Sequence, residues 1–299
     1  MRISECDFVF LSYDEPNADL HYADLCNKFP WAKRVHGVKG SDAAHKAAAD
    51  ISETPWVVTV DADNIVDQSF FDVQIDENNI DIQVYSWLSK NKINGLMYGN
   101  GGIKLWKTDF INSMKSHEAA ISTRTQVDFC WETGYKQVME CFSITDISGS
   151  PFQAWRAGFR EGVKMTLVDG VKVPPQEIKE RVWWHNLHRL KIWSTIGSHE
   201  LNGIFAILGS RQGTYMSNCT DWDYVQVRDF EHLKNIYNNE VLSIENNLEE
   251  INKKIKDYGE KIKVELGLHW ADLNPNQSKY IFDLYHETIN LTKTYYNRI

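Results

Sequence analysis

The chain reads as an α/β fold: a mainly parallel sheet flanked by helices, followed by a C-terminal α-helical hairpin. Three observations predict this. Strand-like and helix-like segments alternate as β-α-β-α-β over about the first 65 residues, the order that builds a parallel sheet. The run Trp56-Val57-Val58-Thr59-Val60 is almost wholly apolar on both faces, as in a strand covered by helices on each side. After Val241, apolar residues recur at alternating three- and four-residue steps, the period of a helix with one buried stripe.

The first strand is Asp7 to Tyr13, ending in Asp14-Glu15-Pro16-Asn17. Ala18 to Lys28 follows as a helix, with Leu20, Ala23, Leu25 and Cys26 expected on the core side. Lys33 to Val38 is a short second strand. An Ala-rich helix, Ala43 to Ile51, is expected to be capped by Ser41 or Asp42. Thr54-Pro55 ends it and the Trp56 strand follows. Gly95 to Trp106 reads as two short strands around the turn Gly99-Asn100-Gly101-Gly102, and Thr108-Asp109 as the cap of a further helix. Val127 to Trp131 and Gln137 to Ile144 are strand-like. Phe152 to Glu161 is a helix opened by Ser150-Pro151, and Trp193 to Tyr215 is helical in its middle. In the tail, Val241, Ile244, Leu248, Ile251, Ile255, Tyr258 and Ile262 form a heptad-like seam. That seam either packs within the chain or forms a homodimer interface over 241–266. Gly267 and Asn274-Pro275 break it, and Asn276 to Asn297 is a second helix carrying Ile281, Leu284, Tyr285, Thr288, Leu291 and Tyr295 on one side. The expected division is a catalytic domain over 1–220 and the hairpin over 221–299.

With 299 residues, 42% of them hydrophobic and 12% aromatic, the chain can bury a substantial core, which excludes global disorder. No apolar run approaches the roughly 18 residues of a membrane span, and the first residues lack a signal-peptide pattern. Five cysteines, with no Cys-x-x-Cys pair, fit reduced thiols in the cytoplasm. The net charge of −9 argues against a protein that coats nucleic acid. One stretch runs the other way: Lys179, Arg181, Arg189 and Lys191 stand with His185, His188, Trp183 and Trp184 against the single acid Glu180.

The most informative motif is Asp61-Ala62-Asp63-Asn64, where the apolar run stops. On an extended backbone residues i and i+2 point the same way, and open α/β sheets bind ligands beyond the carboxyl ends of their strands. Asp61 and Asp63 are therefore placed to share a hard divalent cation and a substrate diphosphate. Asp221-Trp222-Asp223 repeats the spacing without such a strand before it.

The span from Gly40-Ser41-Asp42-Ala43-Ala44-His45-Lys46 through Asp61-Ala62-Asp63-Asn64 resembles family-2-type glycosyltransferases of the GT-A (Rossmann-like) fold. The likeness extends to the first strand with Asp14 at its end and to Gly99-Asn100-Gly101-Gly102, covering roughly residues 5–165 by segment order. Two departures stand out. Val35-His36-Gly37-Val38-Lys39 replaces the usual acidic pair, and Asp146-Ile147-Ser148-Gly149-Ser150-Pro151 replaces the usual Glu-Asp pair before the acceptor helix.

The resemblance implies metal-dependent transfer of a sugar from a nucleotide sugar, a UDP-sugar by preference, to an acceptor hydroxyl. Asp61 and Asp63 would hold Mn²⁺ or Mg²⁺, with His185 as a third ligand. Tyr13, Asp14, Lys46 and Asp61 would line the donor pocket. Arg156 and Arg160, on one helix face, would contact phosphate. Asp146, or alternatively Asp128, would be the general base. A narrower likeness rests on Asp61-Ala62-Asp63-Asn64, the Gly99–Gly102 turn, Ala157-Gly158-Phe159-Arg160-Glu161-Gly162, and Asn202-Gly203 with Gly209-Ser210-Arg211-Gln212-Gly213. It is to DNA-modifying glycosyltransferases of tailed phages, the DNA arabinosyltransferases among them. It implies a hydroxymethylated pyrimidine in DNA as acceptor and the host cytoplasm as location. Competing readings are a glycan, lipid or protein acceptor, and a non-catalytic coiled-coil assembly protein.

Overall fold

The computed structural model describes residues 1–76, 79–98, 101–114 and 134–284. Asp128, Gly99, Asn100, the strand expected at Val127 to Trp131 and the tail from Tyr285 lie outside the described residues. The rest forms two compact units, residues 1–91 with 97–146 and residues 92–96 with 147–299.

The first unit is an α/β sandwich. Its elements run β1 (Asp7–Ser12), α1 (Ala18–Lys28), β2 (Lys33–His36), α2 (Ser41–Asp50), β3 (Trp56–Asp61), β4 (Asn64–Val66), β5 (Val84–Asn91), β6 (Ile103–Lys107), α3 (Thr108–Ser113) and β7 (Tyr135–Thr145). The strands make one seven-stranded sheet in the order β2-β1-β3-β6-β5-β7-β4. β2, β1, β3, β5 and β7 point one way, while β6 and β4 run against them. The sheet is thus mostly parallel, as the alternating elements and the two-sided apolar run of β3 predict.

Alternate residues of the strands feed two cores. Phe8, Phe10, Val58 and Val60 pack with Leu25, Phe70 and Phe71 on one face. Val9, Leu11 and Val57 pack with Val35, Ala48, Ala49, Trp106 and Ile111 on the other. This alternation is the period-two geometry of a strand buried on both sides.

Several local expectations need correction. Helix α1 has the expected ends, but its inward stripe is Ala18, His21 and Leu25. Leu20 is 71% exposed and Ala23 is also exposed. The helix is turned so that a histidine takes the place expected for leucine. Neither Ser41 nor Asp42 caps α2; the N-cap is Gly40, with φ +95° and no side-chain cap bond. Lys107, not Thr108 or Asp109, precedes α3.

The second unit is mainly helical: α4 (Pro151–Lys164), the short hairpin β8 (Leu167–Val168) and β9 (Val171–Lys172), α5 (Ile178–Arg181), α6 (Trp184–Trp193), α7 (Gly203–Cys219), α8 (Phe230–Glu240) and α9 (Leu248–Leu266). Ser150 caps α4 by accepting from the Gln153 N–H at 3.1 Å. Helices α4 and α7 cross at backbone contact. A Cβ on Gly158 would lie 2.0 Å from the Ala206 carbonyl oxygen, and one on Gly209 2.1 Å from that of Trp155. Only glycine permits that approach.

The apolar segment from Trp193 to Tyr215 is helical in its middle, as expected, and is split ahead of α7 by Asn202, which turns left-handed at φ +56°. The tail seam is split too. Asn247 accepts from the N–H groups of Glu249 and Glu250 and starts α9 afresh, leaving Leu248 exposed. Ile251, Ile255, Ile262 and Leu266 are buried within the chain. Arg211 of α7 ties the helices together, donating to the carbonyls of Ser194, Ile255 and Ala271 and pairing with Asp272 at 2.6 Å. Residues 275–284 are helical, and Ser278 Oγ accepts from the Gly197 N–H at 2.9 Å. No helix among the described residues is long and apolar enough to cross a membrane.

Candidate active site

The site is built in the first unit, where β3 ends. Leu11 of β1 is in register with Asp61 of β3, so Ser12, Tyr13 and Asp14 leave the sheet beside it. Antiparallel β6 starts at the same level, and the Asp61 N–H donates to the Gly102 carbonyl at 2.8 Å. Asp61, Ala62, Asp63 and Asn64 then turn the chain from β3 into β4.

Asn64 locks this turn from below. It is 3% exposed. Its Oδ1 accepts from Ser143 Oγ at 2.9 Å, Ser89 Oγ at 3.1 Å and Thr145 Oγ1 at 3.4 Å. Its Nδ2 donates to Asp63 Oδ1 at 2.7 Å, a bond strengthened by the charge on its acceptor. A Cβ on Gly102 would lie 2.0 Å from Asn64 Nδ2. The glycine is the space that the asparagine occupies.

Asp146, at the end of β7, joins the same turn. Its N–H donates to the Asp63 carbonyl at 2.6 Å, and its own carbonyl accepts from Asn17 Nδ2 at 2.8 Å. The side chain is largely buried and faces His21 of α1, with Oδ2 3.6 Å from Nε2. The other ring nitrogen of His21 is 2.8 Å from the Ala62 carbonyl oxygen. Burial alone would push the His21 imidazole down, but Asp146 and the Ala62 carbonyl outweigh it and hold the ring above the ordinary histidine range.

On the other side stands Lys104 of β6, its side chain 8% exposed. Its ammonium lies 3.6 Å from Asp61 Oδ2 and donates to the Gly101 carbonyl at 3.2 Å. His45 of α2 is buried nearby, bonded to the Ser41 carbonyl and edge-on to Trp106. Its burial, reinforced by Lys104 and only partly opposed by Asp61, keeps that ring below the ordinary range.

The structure therefore brings Asp61, Asp63 and Asp146 to one turn. Tyr13 and Asp14 are exposed at the end of β1, and the Tyr13 N–H donates to Glu15 at 2.8 Å. Lys46 pairs with Asp42 one helical turn back, at 2.6 Å. The other expected residues belong to the second unit. Arg156 and Arg160 stack their guanidinium groups over Phe230, 4.3 Å and 5.1 Å from its ring centre. His185 lies against both Trp183 and Trp184, with ring centres 4.2 Å and 3.5 Å away.

Among the described residues no group of three or more His, Cys, Asp or Glu could hold a metal ion. Two carboxylates one residue apart remain, and they suit a hard cation of the Mg²⁺ or Mn²⁺ type, which binds through one or two carboxylates and takes its other ligands from substrate phosphates and water. Three supports escaped sequence reading: His21, Asn64 and Lys104. Asn64 follows the motif directly and could have been noticed there. His21 and Lys104 come from other elements and carry no local signal.

No family model matches the chain, and no curated protein sequence matches it. Solved structures similar to it include a glycosyltransferase involved in the glycosylation of the major capsid of PBCV-1, at 11% identity over 46% of this chain and 92% of that one, with a TM-score of 0.31. Another is HddC from Yersinia pseudotuberculosis, at 15% identity over 50% of this chain and 77% of that one, with a TM-score of 0.27. Likeness at this level does not bear on activity.

Proposed function

We propose that the chain is a metal-dependent glycosyltransferase that moves a sugar from a nucleotide sugar, a UDP-sugar by preference, to an acceptor hydroxyl. One observation carries the reading. A carboxylate turn ends a buried strand, is locked by a buried asparagine, and is bonded through its backbone to a further aspartate. Asp61 and Asp63 would hold the cation, which would supply a positive charge to offset that of the leaving diphosphate. Lys104, beside Asp61, adds a fixed positive charge in a largely buried position, where it acts more strongly than in water. Tyr13 and Asp14 offer a ring face and an acceptor to the nucleoside.

For an inverting transfer, Asp146 takes the proton of the acceptor hydroxyl. The acceptor oxygen forms the new bond to the anomeric carbon. The bond from that carbon to the diphosphate oxygen breaks, and its electron pair leaves with the diphosphate.

For the acceptor we propose a hydroxymethylated pyrimidine in DNA. Trp183 and Trp184 are 56% and 64% exposed, and Arg189 lies 5.6 Å from the ring centre of Trp183. Exposed indoles with a neighbouring guanidinium suit a stacked base. Arg181, which pairs with Glu177, and Arg189 and Lys191 would contact the phosphates.

The test has two stages. UDP-sugars are screened by thermal shift with and without Mn²⁺; a donor at 100 times its dissociation constant should stabilise the fold by about 2.7 kcal/mol. Nucleoside mass spectrometry then follows incubation with hydroxymethylated and plain DNA. Asp63→Ala should abolish transfer while circular dichroism stays unchanged. If no nucleotide sugar binds or turns over, the glycosyltransferase reading falls. Modification of a glycan or lipid in place of DNA removes the acceptor proposal alone.

A further inference from the structure

β1 and β2 end side by side. Ser12 is in register with His36, as Leu11 is with Asp61, so His36 stands at the level of the carboxylate turn. In the order β2-β1-β3 it is two strands from Asp61, about 10 Å at the usual strand spacing. His36 is exposed. Its Nδ1 lies 3.0 Å from Ser12 Oγ and 3.4 Å from Arg34 Nη2. A guanidinium nitrogen only donates, and Arg34 Nε also donates to Ser12 Oγ at 2.8 Å. Ser12 thus accepts from Arg34 and keeps its own hydrogen for His36. A hydrogen on Nδ1 would oppose the Arg34 N–H, so Nδ1 accepts and the ring hydrogen sits on Nε2. Arg34 is itself held by Asp19 at 2.7 Å and by the Tyr22 ring, whose centre is 5.2 Å away. The chain turns away directly after His36, where the Gly37 N–H donates to the Ser12 carbonyl at 2.9 Å. Among the described residues, nothing lies within 4 Å of where a Cβ on Gly37 would be. The ring therefore offers an N–H donor beside open space at the carboxyl end of the sheet, where open α/β sheets bind ligands.

We infer that His36 is a specificity-determining residue that reads the base of the donor nucleotide through a carbonyl oxygen. This rests on the reading of the chain as a transferase of nucleotide sugars. With the diphosphate at Asp61 on β3, the ribose lies over the end of β1 and the base reaches β2. The Nε2–H of His36 donates to the oxygen on C4 of uracil. Cytosine carries an amino group at that carbon, and its N–H would face the His36 N–H with neither able to accept. The relay from Arg34 through Ser12 keeps the ring hydrogen from moving to Nδ1 to suit cytosine. One fixed tautomer thus selects uridine nucleotides over cytidine nucleotides.

Calorimetric titration of UDP and of CDP, each with Mn²⁺, tests this on the full chain. Wild type should bind UDP at least about tenfold more tightly than CDP, because two opposed donors cost more than one lost bond. His36→Gln should bring the two nucleotides within about threefold of each other, since an amide can turn either its NH₂ or its oxygen to the base. His36→Ala should weaken UDP by about two- to tenfold, the loss of one hydrogen bond, and leave CDP no weaker than in wild type. His36 is exposed, and circular dichroism checks that both variants keep the fold. Equal affinity of wild type for the two nucleotides, or an unchanged preference in His36→Gln, overturns the inference and leaves the nucleotide-sugar reading standing. Binding of neither nucleotide brings both down. A separate readout needs no ligand and no variant. At about pH 8, above the ordinary histidine range, the ring-nitrogen NMR shifts of His36 should show Nε2 protonated and Nδ1 bare. A hydrogen on Nδ1 overturns the inference whichever nucleotide binds.

Discussion

Replacing Asn64 with aspartate exchanges one NH₂ for an oxygen and asks whether this residue locks the carboxylate turn. The variant keeps the shape and the acceptor that serves Ser89, Ser143 and Thr145, and loses the donor that holds Asp63 at 2.7 Å. A hydrogen bond to a charged group contributes about 1.5–3 kcal/mol. Two carboxylates then face each other; at about 4 Å and an effective dielectric near 20, like charges cost roughly 4 kcal/mol if both stay ionised. The introduced carboxyl escapes part of this by keeping its proton, so a net loss of about 3–5 kcal/mol at neutral pH is expected. At roughly 2–4 °C per kcal/mol, the melting midpoint falls by about 6–20 °C. The sign of the pH dependence follows. Burial and Asp63 raise the new carboxyl's pKa in the folded chain above its unfolded value. The deficit is therefore full at neutral pH and shrinks as pH falls toward about 4, the unfolded carboxyl range. Thermal melts of wild type and Asn64→Asp, followed by circular dichroism at both pH values, give the answer. A variant that melts within about 2 °C of wild type at neutral pH, or a deficit that does not shrink in acid, refutes the locking role.

Two further predictions concern the fold. Gly209→Ala in an exposed helix would stabilise by about 1 kcal/mol, but here the added carbon meets Trp155 O at 2.1 Å and Phe159 N at 2.9 Å. We expect a loss of about 3 kcal/mol from overpacking, read as a lower urea midpoint; a gain in midpoint would contradict the α4/α7 crossing. The second is Asp7→Asn. Burial would raise the Asp7 carboxyl, but the Glu53 N–H, the Lys33 ammonium and Ser52 outweigh that and hold it below the usual carboxylate range. Its stabilisation is present above the unfolded carboxylate pKa and is lost as pH falls through the lower folded value. Asp7→Asn should therefore destabilise at neutral pH and match wild type in strong acid, as measured by urea unfolding across pH.

How much of this was legible depended on how local each signal was. β3 runs from Trp56 to Asp61 as read, because a strand buried on both faces needs no knowledge of its neighbours. The start of α4 was legible for a similar reason, since Ser150 and Pro151 act within one turn. α1 had the right ends and half of the expected face: Leu25 and Cys26 pack inward, Leu20 and Ala23 do not. Its hydrophobic residues are too few to set the phase, and His21 earns its inward place from Ala62 and Asp146, both distant in sequence. The tail seam looked continuous because its apolar spacing carries across 241–248. The break is set instead by the Asn247 cap, a three-residue signal that periodicity overlooks. At the site, Asp61 and Asp63 announced themselves, while the groups that orient and balance them did not.

That division has a physical basis. A carboxylate pair can be read from one strand because the strand fixes its direction. Its charge balance cannot, because compensation needs only proximity and is indifferent to chain order. Lys104 reaches Asp61 from an antiparallel strand, and His21 reaches Asp146 from a helix packed on one face of the sheet. Each is buried and each faces a carboxylate, but loss of the partner weighs more on Asp146, whose side chain is 10% exposed, than on Asp61, which at 41% exposed is screened by solvent. The same coupling makes the turn respond as a unit. On the proposed reading, a diphosphate at Asp61 and Asp63 would meet the Lys104 ammonium already held in place, and little reorganisation would be required of the protein as it leaves.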